Sequence, residues 1–279
     1  MLTTVAGPRP NRLVELFSQV KPLIGTIHSL PLPGAPRYRG EPVEAIYDYA
    51  VQEALSYKEG GIDGLIVENS GDLPFAKPDK LGPETAAVMA VMCYLVREAT
   101  GLPTGVNCLA TAAVHSLAIA KAGGGTFIRV NQWVNAYVAN EGFIEGQSAD
   151  AMRYRSLIGA QEVAIFADVH VKHGSHAVVE DRPLPEQARD AEFFDADVLI
   201  ATGNRTGDAT PVEEIKGIRT GAALPVIIGS GLTADNAYEL MSHADGAIVG
   251  SSLKADGNWW NRVELERVKR LMEVVSRLR

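Results

Sequence analysis

Residues 163–176 read VAIFADVHVKHGSH. An apolar run opens the stretch, polar side chains then appear at every second position, and a glycine follows. A buried parallel strand that ends in a polar loop has this pattern. Three of the chain's six histidines lie here, beside an aspartate and a lysine. The stretch therefore fits a metal site, an acid/base group or a polar loop that is rich in histidine.

The same order of features, a short apolar run followed by a longer stretch with helical spacing, occurs eight times along the chain. The predicted strands are 23–27, 62–68, 103–107, 125–131, 163–170, 197–201, 225–229 and 245–250. The predicted helices are 42–59, 83–99, 111–122, 148–160, 185–194, 211–220, 233–242 and 259–277. Eight such units in about 250 residues indicate a single (β/α)8 TIM barrel, an α/β fold. A doubly wound open sheet is the alternative, but no dinucleotide-binding fingerprint follows the first strand.

Composition narrows the class of protein. The net charge is -8 and only two cysteines, Cys93 and Cys108, are present. An acidic chain without a basic cluster argues against a nucleic-acid partner, and so few cysteines fit a reducing compartment. No apolar stretch approaches the roughly 20 residues of a membrane span, and the start lacks the apolar core of a signal peptide. We expect a cytoplasmic protein with an N-terminal extension at 1–20 and the barrel at 21–279.

Strand parity predicts which side chains face the barrel mouth, where TIM-barrel active sites lie. On the fifth strand the apolar alternation leaves Asp168, His170 and Lys172 pointing inward. The same test on the other strands, with the loops that follow them, adds the remaining candidates: His28, Glu68, Asn69, Asp72, Asn107, Arg129, Asn131 and His173. Buried charges are costly unless paired or used, so the set predicts catalysis or binding. Structural pairs such as Glu68–Arg129 or Asp168–Lys172 are the alternative.

The last two predicted strands end in loops suited to phosphate. They read PVIIGSGLT (225–233) and GAIVGSSLK (246–254). In many TIM barrels these two loops bind a substrate phosphate, because glycine lets backbone N–H groups approach the anion and serine donates a hydroxyl. The predicted phosphate-binding residues are Gly203, Gly229, Ser230, Gly231, Gly250 and Ser251. The expected ligand is a phosphorylated small molecule.

Several ordered motifs resemble the BtpA family. Residues 24–34, IGTIHSLPLPG, are similar to the family's opening motif, and Glu68-Asn69 with Asp72, Pro74 and Phe75 to its next one. Further matches run in order from 127–131 to 254–257. The resemblance implies a barrel of the ribulose-phosphate-binding kind, and it implies a possible link to photosystem I biogenesis through the family's founding member. Ala110-Thr111 departs from the Asn-Asp pair common in the family, which puts the substrate or the activity in doubt.

We expect an enzyme that acts on a phosphorylated sugar or ribosyl-type compound by isomerisation, lyase (aldolase) or glycosidic-bond chemistry. Glu68 or Asp168 is the predicted general base, and Lys172 or His170, with Arg129, the predicted acid or charge stabiliser. A Schiff base through Lys172 is less favoured, since the neighbouring acids should raise its pKa. The alternative function is a non-catalytic assembly factor that binds a phosphorylated ligand or a protein.

No cofactor is indicated by the motifs. A divalent metal ion held by Asp168 and His170 is the weaker alternative, since Lys172 is an unfavourable neighbour for a cation. Trp259-Trp260, at the start of the last predicted helix, indicates packing or a subunit contact, and we expect a homo-oligomer.

Overall fold

The computed structural model describes residues 10–203 and 205–279. The strands are β1 (Leu23–His28), β2 (Gly64–Glu68), β3 (Thr104–Asn107), β4 (Phe127–Val130), β5 (Ala136–Ala139), β6 (Gly142–Glu145), β7 (Ala164–Asp168), β8 (Gly174–Ser175), β9 (Val198–Ala201), β10 (Val226–Ile228) and β11 (Ala247–Val249). The helices are α1 (Arg12–Phe17), α2 (Val43–Glu59), α3 (Pro83–Thr100), α4 (Ala113–Gly123), α5 (Ser148–Leu157), α6 (Leu184–Phe193), α7 (Val212–Gly221), α8 (Ala237–His243) and α9 (Leu265–Ser276). Short 3-10 turns lie at Pro78–Lys80, Ala177–Val179, Ser251–Leu253 and Ala255–Gly257.

Eight of these strands close into a parallel barrel in the order β1-β11-β10-β9-β7-β4-β3-β2. The register aligns the strand ends, so that His28 on β1 lies opposite Glu68 on β2, which lies opposite Asn107 on β3. The predicted TIM barrel is confirmed, and each predicted strand coincides with one barrel strand. Because all eight strands run in the same direction, their C-terminal ends meet at one mouth.

Alternate residues of each barrel strand belong to two different cores. Ile165 and Ala167 of β7, like Leu65 and Val67 of β2, pack between the barrel and the surrounding helices. The residues between them point inward and fill the barrel. This inner core consists of Leu13, Phe17, Ile24, Ile66, Phe127, Ala164, Phe166, Val198, Ile200, Ile227 and Ile248. The parity predicted for the second and fourth strands, and for the fifth strand as far as Asp168, is therefore confirmed.

Two glycines make room for large rings at the N-terminal end of the barrel. The Phe127 ring stacks on Phe166 with centroids 4.5 Å apart, and Phe17 of α1 meets Phe127 edge-on at 5.8 Å. A Cβ at Gly105 would lie 2.2 Å from the Phe127 ring, and one at Gly64 would lie 2.3 Å from the Phe17 ring. Side chains packed from α1 and the strands thus close the bottom of the barrel.

The insertion at 131–147 contains a hairpin that the sequence did not predict. Strands β5 and β6 pair in antiparallel fashion, and β8 adds a third strand from the loop that follows β7. Gly174 of β8 lies so close to Tyr137 of β5 that a Cβ would approach the ring to 2.4 Å. The opening stretch of sequence is therefore a barrel strand that continues into the edge of a small second sheet.

The last helix begins later than predicted, at Leu265 rather than at 259. Residues 255–262 instead form a closed loop, because Lys254 forms a β-bridge with Val263 and the Ala255 N–H donates to the Arg262 carbonyl at 2.9 Å. The backbone groups that pair across the base of the loop cannot also form helical hydrogen bonds. The helix therefore starts only after the loop has closed.

A buried ion pair attaches this loop to α2. The ammonium group of Lys254, whose side chain is fully buried, contacts the carboxylate of Glu53, which is 2% exposed. The same carboxylate accepts the Val263 N–H at 3.1 Å. The loop that carries Trp259 and Trp260 is thus fixed to the barrel from below.

The predicted N-terminal extension, 1–20, is described from residue 10 onward. It contains α1, which Asn11 caps by accepting the N–H groups of Leu13 and Val14. Leu13 and Phe17 belong to the inner core, and the division at residue 20 stays a prediction. No helix in the described part of the chain has both the length and the apolar character that a membrane crossing needs.

We expect Phe127→Ala to lower the free energy of unfolding by about 3–5 kcal/mol, because it leaves a cavity where three rings meet. Phe193→Ala is the matched control, since that ring is 72% exposed and its loss should cost less than about 1 kcal/mol. Denaturant unfolding measures both. Equal destabilisation by the two changes would contradict the packed bottom of the barrel.

Candidate active site

A cavity of about 750 Å³ opens at the C-terminal ends of the barrel strands. Twelve of the predicted site residues line it: His28, Glu68, Asn107, Arg129, Asn131, Lys172, His173, Gly229, Ser230, Gly231, Gly250 and Ser251. Five predicted residues, all described, do not line it: Asn69, Asp72, Asp168, His170 and Gly203. Strand parity therefore brings most of the candidates to one place.

Arg129 and Asp168 form a buried ion pair beneath this cavity. Nε of Arg129 donates to one carboxylate oxygen of Asp168 at 2.9 Å, and Nη2 donates to the other at 3.0 Å. Asn131 donates to the same carboxylate at 3.3 Å. The two charged side chains are 5% and 0% exposed. A bidentate pair of this kind fixes orientation as well as charge, and it engages both oxygens of Asp168.

The pair keeps a positive charge at the floor of the site, the surface formed by the side chains of Arg129, Glu68, Lys172 and His28. Burial acts to lower the pKa of Arg129, but the charge and hydrogen bonds of Asp168 outweigh it, and the net shift is upward. Arg129 passes close to Gly229, where a Cβ would lie 3.2 Å from Nη2. The guanidinium therefore needs a glycine at the end of β10 to reach its place.

The nearby acids do act to raise the pKa of Lys172, as expected, but they do not decide its net direction, which is downward. Burial lowers it to about 8, and the positive charge of Arg129 acts in the same direction. Glu68, Asp168 and Asp208 oppose the shift without reversing it. Lys172 is therefore partly uncharged near neutral pH, which suits an amine that gives and takes protons or attacks a carbonyl.

Glu68 holds a second titratable position on the floor. Its carboxylate accepts hydrogen bonds from Asn107 Nδ2 at 2.7 Å and from the Ser70 hydroxyl at 3.3 Å. Among the described residues, each carboxylate oxygen accepts one side-chain hydrogen bond. Glu68 lines the cavity, whereas the carboxylate of Asp168 is covered by Arg129. Of the two predicted bases, Glu68 is the one in contact with the space for a ligand.

His28 closes the floor on the side of β1. Burial lowers the pKa of its imidazole well below the ordinary value, and Lys254 and Lys172 act in the same direction. The ring meets Trp259 edge-on with centroids 5.4 Å apart. His28 is therefore neutral at pH 7 and offers hydrogen bonds rather than charge.

The loops after β10 and β11 present backbone donors to the cavity. Gly231 has a φ of +70°, a conformation that favours glycine. Within residues 10–203 and 205–279, the N–H groups of Gly231, Ser251 and Ser252 have no intramolecular acceptor. Asn236 steadies the first loop by donating to the Gly231 carbonyl at 2.9 Å. Gly203 plays no part in this surface, because its backbone packs against the carbonyl of Asp208.

Asn69 and Asp72 do not line the cavity but hold the loops around it in place. Asn69 accepts the Leu109 N–H at 2.7 Å and donates to Asp72 at 2.9 Å, while Asp72 accepts the Leu32 N–H at 2.8 Å. These contacts tie together the loops after β1, β2 and β3. Ala110, where the sequence departs from the family pattern, places its methyl group on the cavity wall.

His170 points away from the cavity and into a stack of rings. Its imidazole lies 3.8 Å from that of His176, which in turn stacks on Tyr137 at 5.1 Å. Burial lowers the pKa of His170 to about 4, so it is uncharged at neutral pH. Asp168 faces Arg129 instead, so the two residues proposed as metal ligands do not converge. Among the described residues, no three His, Cys, Asp or Glu side chains are grouped to hold a metal ion.

Several cavity residues were not singled out as site residues from the sequence. They are Thr26, Phe75, Tyr137, Arg205, Thr206, Trp259 and Arg267. Tyr137 lies in the unpredicted hairpin, and Trp259 was assigned to a helix that starts six residues later. Phe75 was part of a family motif, and the Trp259–Trp260 pair, whose ring centroids are 3.6 Å apart, was interpreted as packing or a subunit contact.

Comparison with known proteins agrees with this geometry. The chain matches the BtpA family over residues 19–277. It belongs to that family. An uncharacterized protein of Archaeoglobus fulgidus is 41% identical over 92% of this chain and 99% of its own length. The photosystem I biogenesis protein BtpA of Synechocystis is 36% identical over 95% of this BtpA-family chain and 91% of its own length.

Solved structures show the same fold at low identity. The thiamine phosphate pyrophosphorylase of Pyrococcus furiosus covers 96% of this BtpA-family chain and 98% of its own, with a TM-score of 0.55 and 18% identity. The phosphoribosyl anthranilate isomerase of Thermus thermophilus covers 92% and 100%, with a TM-score of 0.55 and 14% identity. At such identities the likeness shows the barrel fold alone.

We expect Asp168→Asn to lower the free energy of unfolding by about 3–5 kcal/mol, because Arg129 would keep a buried charge without a counter-ion. Asp235→Asn removes the same charge from a pair with Arg270 in which both side chains are mostly exposed, 83% and 69%. That control should cost less than about 1 kcal/mol. Similar denaturation midpoints for the two variants would show that the Arg129 pair is not held as described.

We expect Lys172 to titrate near pH 8, well below its ordinary 10.5. Glu68→Gln should lower this pKa further, because it removes a negative charge that favours the protonated amine. Carbon-13 NMR of the reductively methylated protein measures the midpoint, and Lys172→Arg assigns the signal. Glu266→Gln, on the exposed face of α9, is the control that should leave the midpoint in place. A midpoint near 10.5 would contradict the burial of this amine.

Proposed function

We propose that this BtpA-family protein is an enzyme that acts on a phosphorylated sugar or ribosyl-type metabolite by general acid/base catalysis. The observation that carries the proposal is the pairing, in one cavity, of Lys172 at a pKa of about 8 with the carboxylate of Glu68. A lowered lysine pKa beside an accessible carboxylate is the arrangement expected where protons are transferred at neutral pH.

The phosphate of the substrate binds the loops after β10 and β11. Gly231, Ser251 and Ser252 offer backbone N–H groups that no described residue accepts, and Ser230 lies among them on the cavity surface. Arg205 and Arg267 also line the cavity and add positive charge. The two solved relatives in fold are named for phosphorylated compounds, which supports this assignment by analogy only.

The reacting end of the substrate lies over the floor. Glu68 acts as the general base, because it lines the cavity whereas the carboxylate of Asp168 is held by Arg129. Lys172 gives or takes the second proton. Arg129 stabilises negative charge that develops on an oxygen, held in place by Asp168. Isomerisation, lyase chemistry and glycosidic-bond chemistry all fit these roles.

A Schiff base through Lys172 joins these possibilities, because its lowered pKa leaves part of the amine uncharged. Borohydride treatment in the presence of a carbonyl substrate separates the two mechanisms. A covalent adduct that is lost in Lys172→Arg indicates a Schiff base, and its absence during turnover indicates proton transfer alone.

We expect phosphorylated sugars or ribosyl phosphates to raise the melting temperature of the protein, since a ligand that binds only the folded state stabilises it. Ser230→Asp should abolish the shift by repelling the phosphate. Ser156→Asp, at an exposed position of α5, adds the same charge away from the cavity and should leave the shift intact. If no phosphorylated compound shifts the wild-type protein, the phosphate site and the enzyme built on it are wrong.

A second candidate, a non-catalytic assembly factor, is favoured by one observation. The Synechocystis relative, 36% identical, is named as a photosystem I biogenesis protein. An assembly role would not require titratable side chains at the floor of the site. Lys172→Arg and Glu68→Gln would therefore leave the assembly function unchanged. A cytoplasmic location, a homo-oligomeric state and the lack of a nucleic-acid partner stay predictions from the sequence.

A further inference from the structure

We propose that the substrate joins its phosphorylated part to a planar aromatic group, and that this group binds one apolar side of the cavity. The inference rests on the proposed function, since it assumes the phosphate site described above. It narrows the substrate class from sugar phosphates in general to ribosyl-type phosphates that carry an aromatic or heteroaromatic substituent.

The mouth of the barrel has two chemically different halves. The loops after β9, β10 and β11 contribute Arg205, Thr206, Ser230 and the neighbouring glycines. The loops after β2 and β3 and the hairpin after β4 contribute mostly apolar side chains, with the polar Ser70, Asn140 and Glu141 beside them. The apolar side chains form a wall that consists of Leu73, Phe75, Leu109, Ala110, Tyr137 and Ala139. Since β2–β4 lie across the closed barrel from β9–β11, the apolar wall faces the phosphate loops.

The cavity is larger than a sugar phosphate needs. Its volume of about 750 Å³ lies in the upper part of the ~300–1,000 Å³ range of pockets that enclose drug-sized ligands. A pentose phosphate is hydrophilic on every side, and if it sat on the phosphate loops it would leave the apolar wall exposed to water. A ligand that also covers the wall gains the free energy of burying that surface.

The wall is rigid in the way that suits a flat ring. Tyr137 is 4% exposed, and its ring is held parallel to His176, at an interplanar angle of 10°. Ala110 and Ala139 have only methyl groups there, so they leave space beside the larger side chains. Aromatic rings recognise one another by stacked or edge-on contact, which gives a planar group an advantage over a branched aliphatic one.

The floor lies between the two halves. Glu68 ends β2 and Arg129 lies on β4, while Lys172 follows β7. A substrate that spans from the phosphate loops to the apolar wall passes over these side chains. The bond between the sugar and the aromatic group is therefore the part of the molecule nearest to the acid and the base.

Binding measurements by isothermal titration calorimetry test the inference on the full chain. The probes are ribose 5-phosphate and three compounds that add a ring to it: adenosine 5′-monophosphate, uridine 5′-monophosphate and nicotinamide mononucleotide. We expect at least one of the three to bind 10-fold or more tightly than ribose 5-phosphate. Phe75→Ala should remove most of that advantage while leaving the Kd of ribose 5-phosphate within about 2-fold.

Two further variants locate the aromatic group. Phe194→Ala, which removes a half-exposed ring from the end of α6 outside the cavity, should change neither Kd. Trp259→Leu removes the aromatic side chain next to the phosphate loops. If Trp259→Leu abolishes the advantage and Phe75→Ala does not, the ring binds on the wrong side and the inference is overturned.

The remaining outcomes separate this inference from the proposed function. If ribose 5-phosphate binds and no aromatic probe binds more tightly, the phosphate site stands and the aromatic substrate class is overturned. If neither the sugar phosphate nor any aromatic probe binds the wild-type protein, both the inference and the phosphate site beneath it fail.

Discussion

The candidate site depends on the buried pair between Arg129 and Asp168. It joins β4 to β7 under the cavity, and it places the positive charge of Arg129 at a buried position. Because Asp168 neutralises this charge from below, the guanidinium can be buried at all. Because the neutralisation is incomplete at the position of Lys172, Arg129 still helps burial to lower the pKa of that amine. The acid/base chemistry that we propose above the floor would thus depend on burial and on an ion pair that does not itself need to react.

Much of the architecture could be predicted from the sequence, because the signals are local and repeated. Alternation along 167–172 predicts which side of the fifth strand carries Asp168, and the closed barrel then fixes what that side faces. The register of the barrel places His28, Glu68 and Asn107 at the ends of adjacent strands, so these three residues lie next to one another. Gly229, Gly231 and Gly250 could be interpreted in the same way, because they directly follow the last two barrel strands.

What the sequence could not give depends on distances across the fold. The pKa of Lys172 is a balance between burial and four charges on different elements. The acids alone predicted an upward shift of this pKa, whereas the net shift is downward. His170 follows strand parity at its Cα, but the chain leaves the strand after Asp168 and its ring turns to His176. Trp259 was placed in a helix because the pattern of 259–277 is helical. The bridge between Lys254 and Val263, and the contact of Lys254 with Glu53 over 200 residues away, show that a loop comes first.

The rings of Phe17 and Phe127 have a consequence for how a ligand enters and leaves the cavity. They fill the barrel from below, so among the described residues the cavity opens at the C-terminal ends of the strands, where the hairpin of β5 and β6 forms part of its wall. A ligand therefore enters and leaves at that end. If the proposed substrate is anchored by its phosphate on the loops after β10 and β11 and lies beside the hairpin at its other end, the group beside the hairpin would leave first and the phosphate after it.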